Sequence, residues 1–215
     1  KDAVLMFDVA PVGPDYLPGH AHADTLSFEI SLFGQRLIVN GGVSEYSTGS
    51  VREYERSTKA HNTVEINNQN SSEVWGSFRV ARRAYPCDLK INEFENIIDI
   101  KCSHNGYKRL SGKPIHKRNL KFYKTSIIIS DYIEGSFKNA YAYFHFHPSI
   151  KIFKKSVREW EIETINGRQV VFNVKKGTSI IDSSYYSPEF GKRLKIKSLK
   201  VALDKKTGSC IEVIW

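Results

Sequence analysis

PGHAHADTLSFEISLFGQRLIVN, residues 18–40, is the stretch on which the fold turns. From Thr25 onward apolar and polar residues alternate, with Leu26, Phe28, Ile30 and Leu32 in one phase and Ser27, Glu29 and Ser31 in the other. A period of two sends successive side chains to opposite faces of a β-strand. FGQ, residues 33–35, is a turn signal, and Arg36 to Asn40 resumes as a second strand, so the stretch reads as a hairpin. The same period places His20, His22 and Asp24 on one face at the mouth of the first strand. Three ligand-type side chains there either grip something or form an ordinary polar strand end.

Period-2 segments recur along the chain, and no 3.6-residue stripe of helical length accompanies them. Besides Thr25 to Phe33 and Arg36 to Asn40, the pattern predicts strands at Val4 to Val9, Thr63 to Asn67, Phe78 to Tyr85, Asp88 to Glu93 and Asn96 to Ser103. Others are predicted at Lys117 to Ile133, Ala140 to His147, Glu159 to Thr164, Gln169 to Val174, Arg193 to Leu203 and Ser209 to Trp215. Short connections without crossover helices predict an all-β fold: a large antiparallel two-sheet sandwich, supersandwich-like, with no substantial helices. No linker or composition shift divides the 215 residues, so residues 1–215 are expected to form one domain. The longest irregular stretch, Gly41 to Ala60, is where a rigid sheet scaffold tends to carry function.

Composition agrees with β structure: 40% hydrophobic and 12% aromatic, led by Phe and Tyr. No apolar run approaches the roughly 20 residues that a membrane helix needs, so membrane insertion is not expected. Cys87, Cys102 and Cys210 are odd in number and lack close pairing, which gives neither a disulfide framework nor a thiolate zinc site. The net charge of +9 favours polyanionic partners: nucleic acid, acidic membranes or acidic polysaccharide. GSFRVARRAYP mixes basic and aromatic residues but lacks the signature of an RNA-stacking sheet, and nucleic acid is left with charge alone to support it. P-loop, G-x-G-x-x-G and G-x-S-x-G motifs are all missing.

Four of the seven histidines fall in two pairs spaced i, i+2, His20/His22 and His145/His147, and His61 stands in STKAHNTVEIN. Imidazole is the commonest zinc ligand, and zinc takes three or four N, O or S donors. His20, His22, Asp24 and His61, with the amide of Asn40, could furnish such a set; alternatively His22 and His61 are hydrogen-bonded core residues. Asn40 should pair near Phe28, so these donors assemble only if HAHAD bends away from the straight strand. In HFHP the aromatic and imidazole faces alternate, which favours a structural role for His145 and His147. Arg52 and Arg56, with Lys59, precede His61 and could bind a substrate carboxylate; Glu53 and Glu55 are the competing partners.

HAHADTLSFEISLFGQRLIVNGG, Y…R.Y.RSTKAHNTVEINNQ, HKRNLKFYKTSIIISDYIEG and YFHFHP together resemble the heparinase II/III-like family of polysaccharide lyases, over essentially the whole chain and in the same order. The resemblance is to the C-terminal β-sandwich of that family, which in these lyases sits against an N-terminal α/α toroid. The chain is thus expected to be the downstream part of a longer protein, with the toroid as its intramolecular partner. The resemblance implies β-elimination on uronic-acid-containing acidic polysaccharide such as heparan sulfate or alginate, in the periplasm or outside the cell. It implies a cleft role for His20 and a structural zinc held by His22, Asn40 and His61. It also leaves the elimination's acid, usually a tyrosine, and its carboxylate-neutralising group to the toroid. At position 40 the chain departs from the family, which has aspartate there; an amide oxygen brings no charge to a dication, and Asp24 is the carboxylate that would compensate. A sandwich that binds carbohydrate or polyanion without catalysis is the alternative function.

Overall fold

Leu32 and Gln35 are joined by Phe33 and Gly34, both with positive φ (55° and 75°), the conformation a two-residue hairpin turn demands. The computed structural model describes residues 3–215; Lys1 and Asp2 of the expected domain lie outside the described residues. Strands β1 (Ala3–Phe7), β2 (Phe28–Leu32) and β3 (Gln35–Ile38) form an antiparallel three-stranded sheet. Helix α1 (Ser50–Glu55) and a 3-10 turn (Thr58–Ala60) interrupt the expected irregular stretch and lead into β4 (Val64–Ile66). Next come the short pair β5 (Val74–Trp75) and β6 (Arg79–Val80), then β7 (Pro86–Phe94), β8 (Ile97–His104), β9 (Ile115–Tyr123), β10 (Ser126–Glu134) and β11 (Ala140–His145). The chain closes with β12 (Lys151–Lys154), β13 (Glu159–Glu163), β14 (Gln169–Lys176), β15 (Thr178–Tyr186), β16 (Leu194–Ala202) and β17 (Ser209–Ile214).

Two layers result. One is an eight-stranded sheet in the order β12-β13-β14-β17-β10-β9-β8-β7, and the other a four-stranded sheet β15-β16-β11-β4. Ile38 bridges Phe146, so the three-stranded sheet continues the second layer through the extension of β11. Inward side chains of both layers share one core, including Phe28, Phe144 and Phe146 from one side and Leu120, Ile129, Phe172 and Val213 from the other. Phe146 meets Phe172 edge to face at 5.3 Å, a favoured aromatic geometry. The all-β antiparallel sandwich expected from the sequence is what forms.

Three strand expectations are corrected. Lys117 to Ile133 is two strands, β9 and β10, reversing at Lys124–Thr125 without a Gly or Pro to announce it. Phe78 to Tyr85 contributes only two strand residues; Arg82 and Arg83 are tied to Glu73 and Asp15. β12 and β15 were not among the predicted strands; three of four residues in β12 and four of nine in β15 are exposed.

Candidate functional site

HAHAD does leave the strand direction. Ser27 N–H closes a turn onto Asp24 O at 2.8 Å, with Leu26 at φ 64°, and β2 begins only at Phe28. A non-glycine residue in that region is strained; the Leu26 side chain is completely buried, which offsets the strain. The freed block is stitched to the segment before β4. Ala23 N–H donates to Arg56 O (2.9 Å), Thr58 Oγ1 to Ala23 O (2.8 Å) and Thr63 Oγ1 to Thr25 O (2.9 Å). Asn62 then ties three strands together: its Nδ2 donates to Phe28 O (2.8 Å) and Val39 O (3.0 Å), and its Oδ1 accepts from His145 N–H (2.7 Å).

That stitching brings His22, His61 and Asn40 side by side. His22 Nδ1 lies 3.2 Å from His61 Nε2, His61 Nδ1 lies 2.8 Å from Asn40 Oδ1, and Arg52 Nη1 lies 3.2 Å from His22 Nε2. A guanidinium only donates, which assigns the protons along the chain. His22 accepts at Nε2 and donates from Nδ1 to His61 Nε2, and His61 donates from Nδ1 to Asn40 Oδ1. The Glu55 carbonyl, 3.1 Å from the same His61 Nε2, is left as a contact with no proton between. Both rings are neutral. Burial, with the neighbouring His61, Arg52 and Arg56, drives His22 down to about 2, and burial drives His61 down to about 4.

A zinc ion needs three or four donors aimed at one point about 2.0–2.2 Å away. His22 Nδ1 and His61 Nε2 face each other, but Asn40 Oδ1 sits on the opposite nitrogen of His61. The Glu55 carboxylate is held by Ser44, and Asp24 makes no hydrogen bond with His22, Asn40 or His61. Among the described residues no group of three or more His, Cys, Asp or Glu side chains surrounds a common centre. A metal on His22 Nδ1 would also move that ring's proton to Nε2, against Arg52. The residues present do not fit the zinc that the resemblance implies.

His20 stands apart from this buried chain. It is exposed, and its ring meets Tyr46 and Phe78 edge-on at centroid distances of 5.4 and 5.7 Å. It lies at the rim of a pocket of about 430 Å³ that His22, Asn40, Asp8 and Asp24 also line. Burial raises Asp8 to about 6 and raises Asp24 as well. Both acids are thereby shifted towards the neutral form, which lowers the repulsion an anionic ligand would meet.

Arg52 and Arg56 are not the open carboxylate clamp expected of them. Both are completely buried. Arg56 gives its N–H groups to the carbonyls of Ala21, Trp75, Gly76 and Arg79. Arg52 gives its Nε to Ser77 O and Nη1 to His22, and keeps only Nη2 without a partner. Neither pairs with Glu53 or Glu55; main-chain carbonyls of a loop that sequence spacing does not reveal took their place. His145 and His147, for which the alternation in HFHP favoured a structural role, each make a side-chain hydrogen bond: His145 Nδ1 with Ser184 Oγ and His147 Nδ1 with Ser149 Oγ, both at 2.8 Å.

Sequence reasoning missed Tyr46 and Phe78, the rings that brace His20, and Asn62. The signal for the first two was weak: isolated aromatics in loops, 42% and 45% exposed.

A sequence model of the family described as "Heparinase II/III-like, C-terminal" matches residues 1–213. No curated protein matches the chain. Among solved structures, the fold is similar to heparan sulfate lyase HepC from Pedobacter heparinus (TM-score 0.80, 18% identity, 99% of this chain and 33% of that one). It is also similar to a heparinase III structure (TM-score 0.79, 17% identity, 99% and 33%) and to a heparinase III gene product (TM-score 0.74, 20% identity, 91% and 30%). The chain thus spans about a third of the length of the structures it matches.

Proposed function

Because the chain belongs to the heparinase II/III-like C-terminal family, we propose that it is the sandwich module of a polysaccharide lyase acting by β-elimination on uronic-acid-containing polysaccharide, to which it supplies His20. The observation that carries this reading is the contrast within one block. His20 is exposed at a pocket rim between two aromatic rings, while His22, two residues on, is locked neutral behind it.

Elimination needs the uronate carboxylate neutralised, the adjacent carbon's proton removed and the leaving oxygen protonated, all in one cleft. Water is not a reactant. His20 is this chain's group for holding or moving a proton there, since its ring nitrogens alone in the block are free of the buried chain. Arg52, His22, His61 and Asn40 act as positioning residues: they fix the loop from which His20 projects, and small displacements of a catalytic group are costly. The remaining acid and the carboxylate clamp belong, on this reading, to an α/α toroid joined to the sandwich.

The test is His20→Ala in the sandwich joined to its upstream domain, with heparan sulfate and alginate as substrates and the ultraviolet absorbance of unsaturated products as readout. Loss of product by at least a hundredfold, with KM little changed, is expected. Product formation at the parent rate overturns the role of His20. A parent protein that binds these glycans without forming unsaturated product makes the sandwich a binding module instead, the reading that the neutral Asn40 favours.

A further inference from the structure

The outer face of the eight-stranded sheet carries a second concavity, of about 500 Å³, away from the His20 pocket. Strand register aligns Lys90, Lys101, Asn119, Ser130, Cys210 and Lys176 in one row across six neighbouring strands, β7, β8, β9, β10, β17 and β14. Five interstrand steps of about 4.8 Å give this row a length of roughly 24 Å. Its middle is short and polar, and its ends are cationic. Both ends are bulged: β7 between Cys87 and Lys90, where Asp88 has φ 57°, and β14 between Val174 and Lys176. Bulges re-aim side chains and concentrate at functional sites.

The neighbouring row adds Lys117 and Tyr132, whose ring is 46% exposed over the trough. Lys101 and Lys117 have carboxylate partners, Asp99 and Glu134. Lys90 and Lys176 line the trough with no ion-pair partner among the described residues. Asp131, beneath the row, is paired with Arg118 and His116, and Asp88, exposed at the β7 end, accepts from the Ser103 hydroxyl.

We propose that this trough is a second, non-catalytic binding site for an extended acidic polysaccharide, with Lys90 and Lys176 receiving anionic groups at its two ends and Tyr132 supplying an apolar platform for a sugar ring. Choosing polysaccharide over nucleic acid rests on the function proposed above. The structure supports it with a single exposed ring and a floor of small hydroxyl, amide and thiol groups, instead of the series of aromatics that stacks successive bases. A bound chain would be held at the trough and fed to the His20 pocket from another face of the same module, which raises its effective concentration there.

The test is binding of the 215-residue chain to heparan sulfate oligosaccharides across a salt series. Lys90→Gln/Lys176→Gln alters only exposed side chains, and its melting temperature should match the parent. The double variant is expected to bind at least fivefold more weakly, with a salt dependence shallower by about two counterions. Tyr132→Ala should weaken binding severalfold and leave the salt slope unchanged. Unchanged affinity and slope in the double variant overturn the site. So does an equal loss in His20→Ala, because the binding measured would then be that of the pocket. Single-stranded DNA binding as tightly as the glycan, with the same loss in the double variant, overturns the choice of occupant. Elimination activity does not enter this readout, so the lyase reading can fail while the trough stands, and the trough can fail while the lyase reading stands.

Discussion

Arg118 and Asp131 face each other across β9 and β10, Nε to Oδ1 at 2.7 Å and Nη2 to Oδ2 at 2.9 Å, with both side chains fully buried. The remaining nitrogen of Arg118, Nη1, donates to Leu26 O (2.7 Å) and Asn62 O (2.5 Å). One guanidinium therefore joins the large sheet to both histidine-bearing segments. Burial alone would raise the Asp131 carboxyl, but the charge of Arg118 and the His116 hydrogen bond outweigh it and hold the group below the usual carboxylate range.

Removing one partner of such a pair leaves an uncompensated buried charge. Asp131→Asn should cost about 3–5 kcal/mol in urea unfolding. The double change Arg118→Met/Asp131→Leu should cost less than Asp131→Asn alone. A double variant no more stable than the single one would show that the third contact of Arg118, and not its charge, is what matters.

Asn62 bonds two carbonyls and one N–H in the interior. Orphaning each costs about 1–3 kcal/mol, so Asn62→Ala should lose roughly 3 kcal/mol or more. Asn62→Asp keeps the shape and loses both donors, and should be no better. Chemical denaturation of the two variants decides the point.

His22 and His20 should respond differently to removal. His22→Ala removes a member of a buried chain and leaves Arg52 facing a void, so the melting temperature should drop by several degrees, on the order of 1–3 kcal/mol. His20→Ala touches only exposed ring edges and should leave melting nearly unchanged. Equal losses in calorimetry would remove the distinction.

Stability should fall as the pH drops below about 6.5. His104 lies well below its ordinary pKa, through burial and then the charges of His116 and Arg118, and burial brings His145 to about 3. A folded pKa below the unfolded one means stabilisation that is complete above the unfolded value and lost on acidification, by up to about 1.4 kcal/mol per pH unit for each group. Asp8 and Asp24, raised by burial, act in the opposite sense, and gain on acidification from about 6 towards the ordinary carboxylate range. His22, His61 and His116 side with His104 and His145, so urea midpoints should fall steadily from pH 6.5 to 5. His145→Gln should flatten that slope.

Chelator should leave the melting temperature unchanged, and added zinc should not raise it, because Asn40 and Arg52 hold the two imidazoles in a proton-bearing chain. Stoichiometric metal in the parent protein by elemental analysis would refute this account of the cluster.

Alternation along Thr25 to Phe33, and again along β16 and β17, was enough to specify strands, their inward faces and hence a two-layer antiparallel sandwich, because burial follows a period of two without reference to distant partners. The meeting of HAHAD with HNT was one of two open readings from residue type and spacing, and the resemblance favoured it. Period alone put His20 and His22 on one face, yet one is exposed and the other is bonded to His61. Leu26 in a left-handed turn, invisible to any periodicity, sends the block out of the strand. Arg52 and Arg56 show the same limit from the other side: their charge was plain in the sequence, but which carbonyls would absorb it was not.

By itself, then, the sequence determined most of the strands, the basic character of the surface and the two histidine-bearing segments, since each depends on side-chain type at fixed local spacing. Only the tertiary structure decided which imidazole stays in water, which nitrogen Asn40 occupies, and that six strands align lysines at both ends of one trough. Those outcomes depend on register and on hydrogen bonds between residues far apart in the chain, where a shift of one position exchanges the two faces of a strand.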